Sequence, residues 1–546
     1  MRALDGAAHV PPKGWRSIYG TAPELLTDRT ALAATAVKAF RERFGNGPVH
    51  VLRAPGRVNL RGMHVDTHGG WLNLMTHHRE VIAVAAPRND AQARIVNAEP
   101  GFAPLDADIA DLRARHGQPD DWDALIACSA AAAARRNWPG DWRLYLQGAL
   151  LRASFDTEGE LDGFDAVIAS DLPRGAALSS SHALSVLILL TALHCDNREW
   201  PPFTLAQAAR DVEWYAGART GLADQTGIVL GRQGHLLSTV IHPGAPEPPT
   251  LRHIPWPEGL QVIVADSRTT RSLSGPDRLA YTRNRFAYSL ALDILRYEMR
   301  EAGLPSSFTE NTRYLSDLSP GQLEPYGGGQ RLLSLLKRVP ETASLPTLRE
   351  RYDLPELDTL YDRYFGALPE ARRPAEFALR GPLLFGVAES ERARLFGELI
   401  ETGRWEEAGR LMLAGHNGDR RYTPQGSRYQ PDVSRGALDA LIRDNAPIHV
   451  CPGGYGASSA ALDGLVDAAM DAGSLGASLT GAGIAGSITA LAPAETAPGV
   501  VAALRGYLAS ATHQARSGAP EPLAASEAEA AVTINTPVSG AGALIL

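Results

Sequence analysis

APGRVNLRGMHVDTHGG, residues 54–70, sets a Pro-Gly turn, an arginine, a histidine, an aspartate and a closing Gly-Gly pair within seventeen positions. A structural turn needs only the glycines and the proline. A cation, an imidazole and a carboxylate packed around such a turn point to a polar ligand held there. The preceding VHVLRAP reads as a strand that delivers the motif. Upstream, DRTALAATAVKAFRERFG spaces its apolar residues at the helical period and stops at glycine.

The bulk composition narrows the classes. At 546 residues the chain is too long for one compact core, so two or three domains are expected. Its 53 basic and 61 acidic residues leave a net charge of −8, which argues against general nucleic-acid or anionic-membrane binding. The three cysteines, Cys128, Cys195 and Cys451, lie far apart and suggest neither a disulfide framework nor a metal cluster; a reducing cytoplasm fits them. Residues 1–17 lack the apolar core of a signal peptide. ALSVLILLTAL, the most apolar run, is far short of the ~18 residues of a membrane span.

Further along, EVIAVAAPR (80–88), FDAVIASDLP and LQVIVADSR (260–268) read as strands. Residues 121–153 read as two helices split by NWPGD, and TLAQ starts another helix with a capping box at Thr204 and Gln207. The middle third, about 277–425, is helical and charged. GASLTGAGIAGSITALAP (476–493) is a glycine loop between apolar strands. The Ala/Glu/Pro stretch near 518–531 reads as a surface segment. Strands before and after a helical middle favour an α+β chain.

Three more stretches carry chemistry. DLPRGAALSSSHALSVLILL runs small residues into a helix whose first turn holds Ser179, Ser180 and Ser181. Free N–H groups and the positive dipole end suit phosphate oxygens there, although a serine cap on a buried helix explains the pattern as well. In GLADQTG (221–227) Asp224 is either a general base or an Asx-turn residue, and the turn is the simpler reading of that stretch alone. LTGAGIAGS is a hinge or a second phosphate-facing loop. By contrast HHRE (77–80) lacks the spacing of a zinc helix and reads as a solvated or substrate-side patch.

Taken in order, APGRVNL, the serine loop, GLADQ and TGAGIAG resemble the GHMP small-molecule kinases, and within them the galactokinases. FRERFG, WRLYLQGAL and DSRTTRSL…YTRNR add to the likeness, which spans about residues 30–495 with a helical insertion near 300–380. The resemblance implies a two-domain GHMP kinase fold, an N-terminal domain over 1–255 and a C-terminal domain over 256–546, with the active site in the cleft between them. It implies ATP and Mg2+, with Pro173, Gly175, Leu178, Ser179, Ser180 and Ser181 at the nucleotide and Ser181 with Glu213 at the metal. Asp224 would be the base and Arg57 its partner, and His64, Asp66 and Tyr281 would contact the sugar. The implied partners are ATP and a galactose-like sugar, with neither nucleic acid nor membrane, in a monomer or small homo-oligomer. A catalytically silent sugar sensor and a kinase for another small alcohol are the alternatives. The chain departs from the family at Met63, where galactokinases have a glutamate that helps hold the sugar's sixth-carbon hydroxyl. It departs also at Ala177, His182, Ala482 and Ala485. Methionine offers no strong acceptor there, so the expected substrate differs from galactose at that carbon, as a pentose, a deoxy-sugar or a uronate does; the alternative is that a water or a neighbour such as His77 replaces the glutamate and galactose remains the substrate. Arg61 nearby is either a carboxylate reader or a surface charge.

Overall fold

The computed structural model describes residues 13–544 apart from 118, 120, 157–160, 249, 270–275 and 367. Residues 1–12, most of the opening stretch read for a signal peptide, lie outside that range. No helix among the described residues is long and apolar enough to cross a membrane.

The strands in chain order are β1 (His50–Arg61), β2 (Trp71–Pro87), β3 (Gln92–Asn97), β4 (Leu105–Asp108), β5 (Phe164–Ser170), β6 (His235–Val240), β7 (Thr250–Pro255), β8 (Leu260–Asp266), β9 (Thr342–Ser344), β10 (Glu376–Ala378), β11 (Gly476–Leu479), β12 (Ser487–Pro493), β13 (Val532–Asn535) and β14 (Gly542–Leu544). One sheet runs β14-β1-β2-β5-β3-β4, with β6 on the far stretch of β2 and β7 on β6. A second sheet runs β11-β12-β8-β13, and β9 and β10 form a short ribbon. With helices packed against both sheets, the chain is of mixed α and β class.

Both faces of the first sheet are covered, which explains its nearly unbroken apolar strands. Val51, Ile82, Val84 and Val167 face the Pro23–Phe44 helix, which starts at a proline and stops at Gly45. Leu52, Ala83, Ala85 and Ile168 alternate to the other face, against the Arg143–Asp156, Ser180–Cys195 and Pro202–Tyr215 helices. The Ser180–Cys195 helix is buried almost all round, as its apolar run requires.

Residues 276–365 are mostly helical, and their apolar faces merge with the second sheet into one core. Residues 121–153 form parts of three helices rather than two, because Cys128 ends one and caps the next. The Pro202–Tyr215 helix starts two residues before Thr204: Pro202 sets the first helical φ, and no side chain caps the end. Gln207, freed from a capping role, donates to the Ala245 carbonyl at 2.8 Å.

HHRE is not a solvated patch. It lies inside β2, where His77 and Glu80 are both fully buried. Glu80 accepts from the Tyr19 hydroxyl at 2.7 Å, is bonded to Arg53 Nε, and lies 3.7 Å from Arg29, which also pairs with Asp171. Two guanidiniums thus rely on one carboxylate, and removing it leaves them without that counter-charge. Glu80→Gln should lower stability by about 3–5 kcal/mol, the usual cost of breaking a buried pair from one side. Urea denaturation followed by circular dichroism measures it. An unchanged midpoint would mean that Asp171 and the carbonyls of Ser539 and Gly540, which accept from Arg53, suffice.

Candidate active site

Arg57 leaves the irregular middle of β1, where the register against β2 shifts between Pro55 and Arg57. Its side chain is buried and bound at every turn. The backbone N–H donates to the Leu178 carbonyl at 3.2 Å, Nη1 donates to the Ala177 carbonyl at 2.8 Å, and Nε donates to Asp224 Oδ1 at 2.7 Å. Nη2 bonds the same carboxylate oxygen. Burial pushes the Asp224 carboxyl up, but the charges of Arg57 and His182 and the hydrogen bonds outweigh it and hold it at about 2. Asp224 is therefore ionised at neutral pH. It is no Asx-turn residue: it lies in the first turn of the Ala223–Leu230 helix, where a negative charge suits the dipole.

Asp66 comes to the same place from the turn after β1. Ala223 N–H donates to its Oδ2 at 3.2 Å. Burial raises its pKa, that N–H lowers it, and the charge of Asp224 raises it again. A Cβ on Gly221 would lie 1.8 Å from Asp66 Oδ2, so only glycine lets the GLADQ turn come this close. His64, at φ 62°, stacks on Tyr455 with ring centroids 4.3 Å apart, and its Nε2 lies 3.6 Å from Asp419.

These groups line one cavity of about 290 Å3, together with Tyr281, Tyr288, Tyr364, Arg285 and His68. Burial, and then the charge of Arg285, pull the His68 pKa down to about 4, so that ring is neutral. The glycine loop closes the cavity with Gly481 and Ala482. At positive φ, Gly481 and Gly486 would bring a Cβ within 3.0 and 2.5 Å of the Ala177 Cβ, which is how closely this loop seats on the serine turn.

A second cavity, of about 280 Å3, opens on the other side of that turn. Ser180 and Ser181 line it with Phe102, Trp142, Tyr145 and Arg174. Ser179, at φ 63°, makes no side-chain cap on the Ser180–Cys195 helix, so its hydroxyl does not use up the first-turn N–H groups. Ser179 instead faces Asp224 and lowers its pKa. The serine turn thus separates a polar, aromatic-walled cavity holding two carboxylates from a cavity that ends at a helix N-terminus.

Glu213 is buried beside this turn. Burial raises its pKa, while His182 and the hydroxyls of Ser181 and Ser185 lower it. His182, buried, bridges the two acidic groups: Nε2 is 3.2 Å from Asp224 Oδ2 and Nδ1 is 3.8 Å from Glu213 Oε1.

Of the residues singled out in the sequence, Arg57, Asp224, His64, Asp66 and Tyr281 meet at the first cavity, and Ser180 and Ser181 at the second. Pro173, Gly175 and Leu178 line neither; Gly175 is exposed, and Leu178 contributes only the carbonyl held by Arg57. Met63 does not face the cavity. Its side chain is buried in the apolar core and its N–H donates to Glu389 at 3.1 Å. Arg61 is neither exposed nor a reader of ligands: it is fully buried, 3.3 Å from Glu389 and bonded to the carbonyls of Leu411 and Met412. Sequence reading missed Tyr455, Tyr364 and Arg285. Tyr455 had a signal in the Pro-Gly-Gly-Tyr-Gly run at 452–456, a turn that presents one aromatic ring.

Comparison with known proteins shows what the chain is similar to. Residues 38–87 match the galactokinase galactose-binding signature, and residues 145–232 match the GHMP kinase N-terminal domain. The chain is 27% identical over 489 residues to the galactokinase of Streptomyces coelicolor, covering 88% of this chain and 94% of that one. It is also 27% identical to the galactokinase of Chloroflexus aurantiacus over 86% of this chain and 91% of the other. The fold matches that of Lactococcus lactis galactokinase complexed with galactose, with a TM-score of 0.60 at 18% identity, over 94% of this chain and all of that one.

The close approach of Asp66 to the GLADQ turn gives a direct check. Gly221→Ala should break the Asp66–Ala223 hydrogen bond and cost about 1–3 kcal/mol through overpacking. A crystal structure of the variant with that bond intact would show that the turn moves instead.

Proposed function

We propose that this chain, which belongs to the GHMP kinases on their galactokinase-like branch, transfers the γ-phosphoryl group of ATP to the anomeric hydroxyl of a galactose-like sugar. The observation that carries the reading is the Arg57–Asp224 pair, set in the sugar-sized cavity beside the serine turn that bounds the second cavity.

In this reading the nucleotide occupies the second cavity, its base among Phe102, Trp142 and Tyr145 and its phosphates toward Ser180 and Ser181. The sugar lies against His64, Asp66 and Tyr281. Oxygen donors suit Mg2+. Glu213 is a buried carboxylate beside the Ser181 and Ser185 hydroxyls, so its donor set fits that ion. Ser181 and Glu213 would hold the ion, which when bound supplies positive charge to the phosphates.

The sugar hydroxyl oxygen forms a bond to the γ-phosphorus while the bond to the bridging oxygen of ADP breaks. The hydroxyl proton passes to Asp224 and then to solvent. A carboxyl held at about 2 is a weak base, so Asp224 chiefly orients the hydroxyl and takes its proton late. Such lateness suits a loose transfer, in which alignment and charge stabilisation supply most of the rate. Arg57 keeps Asp224 ionised, and its guanidinium faces the region where negative charge develops. The net charge of −8 and the free cysteines Cys128, Cys195 and Cys451 support action on a small molecule in the reducing cytoplasm.

Asp224→Asn should lower turnover by about 10²–10⁴ with ATP affinity little changed. Sugar-dependent ADP release and nucleotide titration measure the two separately; turnover within a few-fold of wild type would remove Asp224 from the chemistry. Ser181→Ala should shift the Mg2+ dependence of activity to higher concentration at fixed ATP. An unchanged curve would leave the serine a purely local role at the helix start.

A further inference from the structure

Arg285 stands apart from the other cations near the sugar cavity. Arg57 is bound to Asp224, and Arg61 is sunk away from the cavity against Glu389. Arg285 lines the cavity from the Pro276–Ser289 helix, and its one bond to the described residues is from Nη2 to the Arg219 carbonyl, at 2.7 Å. No carboxylate of the described residues pairs with it. It shares the cavity wall with Tyr281, Tyr364, Tyr455 and Asp66, all of which favour its charged form.

A guanidinium has five donors in a planar fork and keeps its charge wherever it sits. Arg285 is half-buried with most of its fork unbonded, so those donors are available to an anion on a ligand in the cavity. A neutral sugar brings none. We propose that the acceptor this site is built for is an acidic sugar, a uronic acid of galactose-like shape, whose carboxylate pairs with Arg285. The inference rests on the sugar-kinase reading and names the substrate class of that site.

Asp224 and Arg285 line the one cavity from different helices, Ala223–Leu230 and Pro276–Ser289, and only Asp224 is tied to Arg57. A uronate matches that division, with its reacting hydroxyl and its carboxylate on different ring carbons. A carboxylate also fits better than a phosphate ester, because one cation answers a single charge. Because Met63 is turned into the core, selectivity at the exocyclic carbon falls to residues such as Arg285.

The test compares kcat/KM of the wild type for galacturonate, galactose, L-arabinose and galactose 6-phosphate, and repeats the series in Arg285→Gln and Arg285→Lys. A charge-assisted pair corresponds to roughly 10- to 100-fold in efficiency. Galacturonate should exceed galactose by about tenfold or more in the wild type. That ratio should fall to about one in Arg285→Gln and be partly kept in Arg285→Lys. The wild-type ratio needs no variant to fold. Galactose equal to or better than galacturonate, galactose 6-phosphate best of all, or a ratio unmoved in Arg285→Gln would each overturn the inference and leave the kinase standing. Phosphorylation of none of the four sugars by the wild type would bring down the kinase reading, and this inference with it.

Discussion

One buried ion pair joins three separate parts of the chain. Arg57 reaches the serine turn through the carbonyls of Ala177 and Leu178, and the GLADQ helix through Asp224. A buried pair repays its desolvation only when further hydrogen bonds satisfy the remaining donors, and here the backbone carbonyls do so. Because the bonds run to main chain, they fix the turn as well as the charge. Loss of the arginine would leave Asp224 ionised without its strongest partner and free the strained residues Ala177 and Ser179, both at positive φ. The site's electrostatics and the shape of the serine turn are thus one constraint.

A second buried charge group supports the first from behind. Glu389 accepts from the N–H groups of Gly62 and Met63 at 2.9 and 3.1 Å and is flanked by Arg61 and Arg392. Burial alone would raise its pKa, but the two arginines and the Gly62 N–H lower it. The carboxylate therefore acts as a clamp on the backbone between β1 and His64. Clamped there, the chain can turn Met63 into the apolar core while His64 and Asp66 point to the cavity. The glutamate–methionine difference from the galactokinases lies where this chain needs an apolar side chain.

Much of this was legible in the sequence because it is local. Arg57, His64 and Asp66 share one strand and turn; Ser180 and Ser181 open one helix; Asp224 opens another. Each motif states its own backbone geometry through its glycines, prolines and small residues. What the sequence left unread is set by burial or by distant chain. Glu80 and Arg61 look like surface charges until the covering helices are known. Gln207 loses its capping role because two prolines start the helix earlier. Tyr364 and Tyr455 reach the cavity from segments more than eighty residues apart, with no shared period to link them.

This division has a chemical meaning. In the proposed function the local motifs hold the groups that the transfer would use: an ionised carboxylate, its cation, and a helix start for phosphate. The long-range wall of Tyr281, Arg285, Tyr288, Tyr364 and Tyr455 would read the acceptor in that proposal. Such a wall can change its side chains without disturbing Arg57, because none of its residues is bonded to the Arg57–Asp224 pair. In that proposal alignment and recognition are separable, and the reading of the acceptor would rest on the helical middle of the chain as much as on the motifs.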